Sequence, residues 1–195
     1  MSALLALGTA AAFPLPNTAQ SIISDNAMGN VRGALQSNMA AGNNNLQANV
    51  ANIIMSPNGQ GVATTSGVEQ QASGTPSANF VQQQAKILGN AFHGATGLMS
   101  INQAAGAGNA EANHIEIVMG AAQPVSNQTL AQSLSSVHRD TSSSSSTQGG
   151  NSSQVAVAAT AFHNAGGIAQ VNQTSGSGNA SANSFALGVA PGVMQ

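Results

Sequence analysis

The chain has 195 residues, of which 3 are Lys or Arg and 5 are Asp or Glu, so that 4% are charged where about a quarter is usual for a globular domain. It contains no Cys, Trp or Tyr, which excludes disulfide frameworks, thiol nucleophiles and thiolate metal sites. Its 3 scattered cations cannot neutralise a phosphate backbone, which excludes a nucleic-acid binder, and a net charge of −2 with a mean hydropathy of +0.02 excludes disorder driven by charge.

From the N-terminus, Ala3 to Phe13 (ALLALGTAAAF) forms an apolar run of 11 residues, short of the ~20 that a membrane-spanning helix needs. It resembles the h-region of a secretory signal, with Ala10-Ala11-Ala12 as an A-x-A-like cleavage site but without a basic n-region in Met1-Ser2. Residues 1–20 are read as a signal-like or frayed N-terminal segment, and export is expected. No other segment has transmembrane character, so membrane insertion is not expected.

Internal repetition then organises the chain. Ala91 to Ile117 (AFHGATGLMSINQAAGAGNAEANHIEI) and Ala161 to Leu187 (AFHNAGGIAQVNQTSGSGNASANSFAL) align without a gap at an offset of 70, with 13 of 27 positions identical. A weaker copy, Ala27 to Ile53, lies 64 residues upstream of the first of these. Seven positions agree in all three copies: Ala27/Ala91/Ala161, Gly33/Gly97/Gly167, Asn38/Asn102/Asn172, Gly42/Gly106/Gly176, Asn45/Asn109/Asn179, Ala48/Ala112/Ala182 and Asn49/Asn113/Asn183. Apolar correspondence extends the unit, with Ile23, Ile87 and Val157 at one end. The repeats are therefore drawn at residues 21–55, 85–119 and 155–189, joined by linkers at 56–84 and 120–154, with a C-terminal tail at 190–195. The second linker carries a Ser tract, Thr141 to Thr147, that reads as flexible.

Within a repeat, apolar residues alternate with period two, as half-buried strands do. In the second copy Ala85, Ile87 and Gly89 share one side, and Ile115, Ile117 and Met119 another; Ala110 and Ala112 have the opposite parity, which places a switch at Asn113. Gly97 and Gly106 mark two further corners. Asn79 to Leu88 has helical potential in isolation, but Gly and Asn interrupt every longer helical window. The expected fold is all-β: three imperfect repeats, each a serpentine, Greek-key-like β-layer, stacked as a β-solenoid or an in-register cross-β fibril. Stacking satisfies the backbone groups that one flat layer leaves open, at about 4.7–4.8 Å per layer. Like charges stacked in this way would repel. Asp25, Arg32, Lys86, Glu111 and Glu116 each align with uncharged residues in the other two copies.

Residues with chemical potential do not assemble into a reactive set. His93 and His163 share a repeat position and would form a metal-binding or pH-sensitive row, although a polar side chain at a strand turn is the plainer reading. His114 and His138 have no repeat partner. The carboxylates occupy unrelated positions, no Gly-x-Ser-x-Gly elbow occurs, and Gly106-Ala107-Gly108 recurs as Gly176-Ser177-Gly178, which reads as turn geometry. Phe92 and Phe162 are expected to stack in the core. No catalytic residue, metal site or cofactor is assigned, and no enzyme is expected.

These residues resemble the repeats of the Fap functional amyloids, secreted biofilm-fibre subunits of Pseudomonas-type bacteria. The resemblance rests on the opening Ala-Phe (Ala91-Phe92, Ala161-Phe162), the Gly-x4-Asn spacing (Gly97/Asn102, Gly167/Asn172) and the Gly-x2-Asn-x2-Ala-Asn run at Gly42, Gly106 and Gly176. Three repeats with two dissimilar linkers is also that family's plan. The chain departs from it in lacking the C-terminal Cys pair of some members and in having Met28 where the other repeats have Phe. The resemblance implies an extracellular, self-polymerising fibril subunit at the cell surface or in the biofilm matrix. As partners it implies copies of the same chain, a related nucleator or co-subunit, and an outer-membrane export pore. The competing reading is a monomeric β-solenoid adhesin or surface-binding module, which would carry polar terminal caps and a flat array of Thr or aromatic residues. The ladder residues, above all the Asn, Gly and Ala sets and the row Ile23/Ile87/Val157, are expected to carry assembly. Asn102→Asp with Asn172→Asp should then slow assembly near neutral pH, because stacked carboxylates repel; turbidity kinetics indistinguishable from wild type would count against the ladder.

Overall fold

A strand in this chain finds its hydrogen-bond partner in another repeat. The computed structural model describes residues 17–55, 69–72, 82–120, 131–134 and 152–189, and its regular elements are all strands. The first repeat contributes β1 (Thr18–Ile23), β2 (Arg32–Asn43) and β3 (Leu46–Met55), and β4 (Glu69–Ala72) follows in the first linker. The second contributes β5 (Gln82–Ile87), β6 (Thr96–Ala107) and β7 (Ala110–Met119), followed by β8 (Ala131–Leu134) in the second linker. The third contributes β9 (Ser152–Val157), β10 (Gly166–Ser177) and β11 (Ala180–Val189).

Equivalent strands pair in parallel, giving sheets ordered β1-β5-β9, β2-β6-β10 and β3-β7-β11. The register follows the repeat offsets: Asn38 lies against Asn102 and Asn102 against Asn172, and Ile23, Ile87 and Val157 form one row. Parallel strands require a long crossover, and here the crossover is the rest of the layer plus a linker. The second repeat is therefore the middle layer, covered on both sides. In each layer the chain doubles back, so that the first strand packs on one face of the second and the third on its other face.

The turns are laddered as well as the strands. Phe92 N–H donates to Ala27 O at 2.9 Å, Phe162 N–H to Ala91 O at 2.9 Å, and Gly94 N–H to His163 O at 2.9 Å. Met28, Phe92 and Phe162 all adopt left-handed backbone, at φ 57, 60 and 61°. Bulky residues avoid this region, at a cost on the order of 1–3 kcal/mol each. Burial offsets that cost: the Phe92 and Phe162 rings stack with centroids 4.8 Å apart, and Phe92 lies in a core of Ile23, Ile87, Ala91, Ala95, Met99 and Ile101.

Several expectations need correction. Gly97 and Gly106, with φ of 125 and 126°, lie inside β6, next to its ends, and do not terminate it. The chain reverses at 88–95 and at Gly108-Asn109. Asn113 lies in the middle of the continuous strand β7, with no switch of parity. Apolar residues occur at both parities there because a middle-layer parallel strand is buried on both faces. The Ala48/Ala112/Ala182 row pairs in register but is not packed alike along its length. Ala112 is fully buried, whereas Ala182 is exposed, because the third layer has a neighbour on one side only among the described residues. The helical potential of Asn79 to Leu88 gives way to strand over Gln82–Ile87. Each first strand also begins at Thr18, Gln82 or Ser152, three residues before the repeat boundary drawn from identity, because backbone pairing continues where side chains no longer match.

The linkers contribute structure that repeat identity does not reveal. β4 and β8 pair in parallel as a sheet of their own, in contact with the third strands of the layers. The apolar run Ala3 to Phe13, the Ser tract Thr141 to Thr147 and the 190–195 tail lie outside the described residues.

The core predicts unequal sensitivity along one row. Ile87 is fully buried, whereas its partner Val157 is 50% exposed on the third layer. Ile87→Ala should lower stability by about 2–5 kcal/mol, and Val157→Ala by less than half as much, as read from the denaturant midpoint.

Candidate assembly surface and the asparagine ladders

The side chains shared by all three repeats converge between the second and third strands of each layer. On β6, Asn102 points toward β7, and on β7, Asn113 points back toward β6; their amides bond to each other, Asn113 Nδ2 donating to Asn102 Oδ1 at 2.9 Å. Along the stack, Asn102 Nδ2 donates to Asn38 Oδ1 at 3.0 Å and Asn172 Nδ2 to Asn102 Oδ1 at 3.0 Å. The facing row repeats this, Asn113 to Asn49 at 3.0 Å and Asn183 to Asn113 at 3.0 Å. Cross-bonds zigzag between the rows: Asn102 Nδ2 to Asn49 Oδ1 at 3.0 Å and Asn172 Nδ2 to Asn113 Oδ1 at 3.1 Å. The carbonyls of Ala48 and Ala112 accept from Asn102 and Asn172 at 2.8 and 2.9 Å. Apart from the Asn113–Asn102 bond within the second layer, each of these bonds runs from one layer to the layer before it, so Ala182, in the last layer, occupies the position that a following layer's Asn would address. Two amide ladders are thus joined into one network, with Asn102 and Asn113 fully buried.

Each such bond contributes a net ~1 kcal/mol, but a buried amide left unpaired costs ~1–3 kcal/mol. The network therefore penalises loss of register more than it rewards stacking. A third ladder closes the turn between the same strands. Asn109 Nδ2 and backbone N–H both donate to Asn45 Oδ1, at 2.9 and 3.1 Å, and Asn179 does the same to Asn109 at 2.9 and 3.1 Å.

The glycine rows have a steric cause. A Cβ at Gly97 would collide with Gly33 O, one at Gly167 with Gly97 O, and one at Gly106 with Gly176 O. Gly42 shares the positive φ of its row, at 110°. The Ala27/Ala91/Ala161 row lies at the turn, where Ala27 O and Ala91 O accept from the two Phe amides.

Both end layers are open. Ile53, Met55, Val155, Leu187 and Val189 are exposed there, and each outer strand has one edge without a strand partner among the described residues. Residues 7–190 match the functional amyloid protein FapB/FapC family. The chain belongs to that family. No solved structure matches the chain. The Fap family is one of amyloid-forming structural proteins and not an enzyme family.

Outside the ladders, the described histidines of this Fap-family chain are spread over the turns and β7. His93 Nδ1 lies 3.0 Å from Asn90 O and its Nε2 3.4 Å from Asn30 Nδ2, which ties the ring to its turn. His163 is exposed, His114 is buried on β7, and His138 lies outside the described residues. Among the described residues no three of His, Asp or Glu stand close enough to hold a metal ion.

Two buried carboxylates are not singled out as site residues by sequence. Glu116 buries both carboxylate oxygens without a hydrogen-bond partner among the described residues, between Asn52 and Ala186. Glu111 lies in the row Gln47/Glu111/Ser181 and accepts from Gln47 Nε2 at 2.7 Å and Thr174 Oγ1 at 2.7 Å. The only sequence signal for either is a charge in an otherwise neutral row.

Burial pushes the Glu111 carboxyl up from 4.5 to about 7, and the bonds from Thr174 and Gln47 pull only partly the other way. A raised folded-state value means that unfolding releases a proton between these limits. The stabilisation is complete below about 4.5, declines as pH rises, and is lost above about 7. At about 1.4 kcal/mol per pH unit, the difference reaches about 3 kcal/mol. Denaturant midpoints measured across this window should fall with rising pH in the wild type, and Glu111→Gln should flatten the profile.

Proposed function

We propose that this protein is an extracellular fibril subunit that polymerises by stacking its end layers on those of other copies and gives a bacterial biofilm matrix mechanical strength. The observation that carries the reading is the incomplete stack. Three layers pair in register through backbone and amide ladders, and among the described residues the first and third present unpaired edges and exposed apolar side chains. Soluble monomers manage open strand edges with charge, Pro, bulges or covering elements. Apart from Arg32, which begins β2, the outer-layer strands carry no charged residue. Membership of a functional amyloid family supports the same reading.

Export follows from this role, and the apolar run Ala3 to Phe13 supports it. An outer-membrane pore would carry the chain across and a related subunit would nucleate growth. The ladder residues Asn38/Asn102/Asn172, Asn45/Asn109/Asn179 and Asn49/Asn113/Asn183, with the Gly rows, the Ala48/Ala112/Ala182 row and Ile23/Ile87/Val157, would extend from one molecule to the next. A monomeric surface-binding solenoid has less support, since neither described end layer is capped.

The test is X-ray diffraction from aligned material prepared by dilution from denaturant, with electron microscopy of the same sample. Unbranched fibres with a sharp meridional reflection near 4.7–4.8 Å are expected. Soluble monomers without that reflection would overturn the reading.

A further inference from the structure

The two open ends of the stack are chemically different. In the amide-to-amide bonds of every Asn row the nitrogen donates toward the first layer and the oxygen accepts from the third-layer side: Asn102 to Asn38, Asn172 to Asn102, Asn113 to Asn49, Asn183 to Asn113, Asn109 to Asn45 and Asn179 to Asn109. The nitrogens of Asn45, Asn49 and Asn109 also donate to the carbonyls of Gly106, Ser100 and Gly176 in the following layer. In the amide-to-amide bonds the first layer is the end that lacks an acceptor for its row, and the third layer the end that lacks a donor. A face placed on a copy of itself would set donor against donor or acceptor against acceptor.

Shape distinguishes the ends in the same sense. Row Leu35/Met99/Ala169 has its smallest member on the third layer. There a hollow of about 260 Å³ opens, lined by Ala169, Phe162, Ala165, Val171 and Met99. Leu35 is the residue that a first layer brings over Ala169 when the register continues, whereas a third layer would bring another Ala.

Glycines mark both ends. A Cβ at Gly167 or Gly97 points toward the first-layer side and meets the next carbonyl, but at Gly33 it meets nothing within 4 Å. A Cβ at Gly106 points toward the third layer and meets Gly176 O, but at Gly176 it approaches only side-chain atoms, none nearer than 3.4 Å. Each row stops at an end with room for one more backbone.

We infer that assembly is strictly head-to-tail: the first-layer face of each molecule, with Gly33 and Leu35, seats on the third-layer face of another copy, with Gly176 and Ala169, and like faces do not join. This rests on the fibril reading above. If no fibres form, that reading fails; if fibres form with another polarity, only this inference fails.

The chain has no native Cys, so introduced thiols report contacts cleanly. Thr18 and Ser152 are exposed and occupy one strand row on opposite end layers. At head-to-tail junctions they become neighbours at the spacing of a parallel ladder, about 4.7–4.9 Å, within reach of a disulfide. Fibres grown from a 1:1 mixture of Thr18→Cys and Ser152→Cys chains should give only the mixed dimer on oxidation, and fibres of either chain alone none. Dimers of a single species, or no dimer in any sample, would overturn the inference.

A second test uses the glycines. Added in small proportion to wild-type monomer, Gly33→Ala chains should stop growth of wild-type seeds at one end, Gly176→Ala chains at the opposite end, and the two together at both, as read by two-colour microscopy. Either variant stopping both ends would overturn the inference. Gly97→Ala carries comparable backbone strain, but its clash falls inside the molecule, so it should cap neither end.

Discussion

The parallel, in-register hydrogen bonding between layers is the constraint on which the rest of the structure depends. Once residue i pairs with its equivalent 64 or 70 positions later, identical side chains must lie above one another. Amides can satisfy one another in such a row, aromatic rings can stack, and apolar groups can bury one another. Like charges cannot. The scarcity of charged residues, which first marked the composition as unusual, follows from this geometry. So does the neutral company of Lys86, Glu111 and Glu116 in their rows.

Close stacking also decides where glycine is needed. Gly97 and Gly106 are required by what lies in the next layer as much as by their own dihedrals, since a methyl group at either would strike a neighbouring carbonyl. The Phe positions show the opposite balance. Phe92 and Phe162 accept an unfavourable left-handed backbone because the stacking of their rings, with Phe92 fully buried, offsets it. Local propensity gives way at both kinds of site to a contact that exists only between layers.

The same stacking makes the molecule incomplete. The middle layer is buried almost throughout, while the flanking layers expose residues whose middle-layer equivalents are covered, as Ala182 is exposed beside the buried Ala112. One molecule thus shows what a buried layer looks like and what its own ends lack. The buried Glu111 fits this picture, since its carboxyl is held by Gln47 and Thr174 of the layers on either side. Glu116, whose buried oxygens have no hydrogen-bond partner among the described residues, does not.

By itself the sequence determined the repeat, its offsets and hence the register, because stacking of identical residues is written directly as identity within one chain. It also determined the all-β class and the Phe pair. Only the tertiary structure decided where each layer bends. Gly97 and Gly106 look like corners in sequence, but the strand continues through them, and the parity switch anticipated at Asn113 is absent because both faces of β7 are covered. The pairing of Asn102 with Asn113 across two strands, the burial of Glu111 and the linker strands β4 and β8 were likewise not legible. These depend on how the layer folds back on itself, and that path leaves no periodic mark in the sequence.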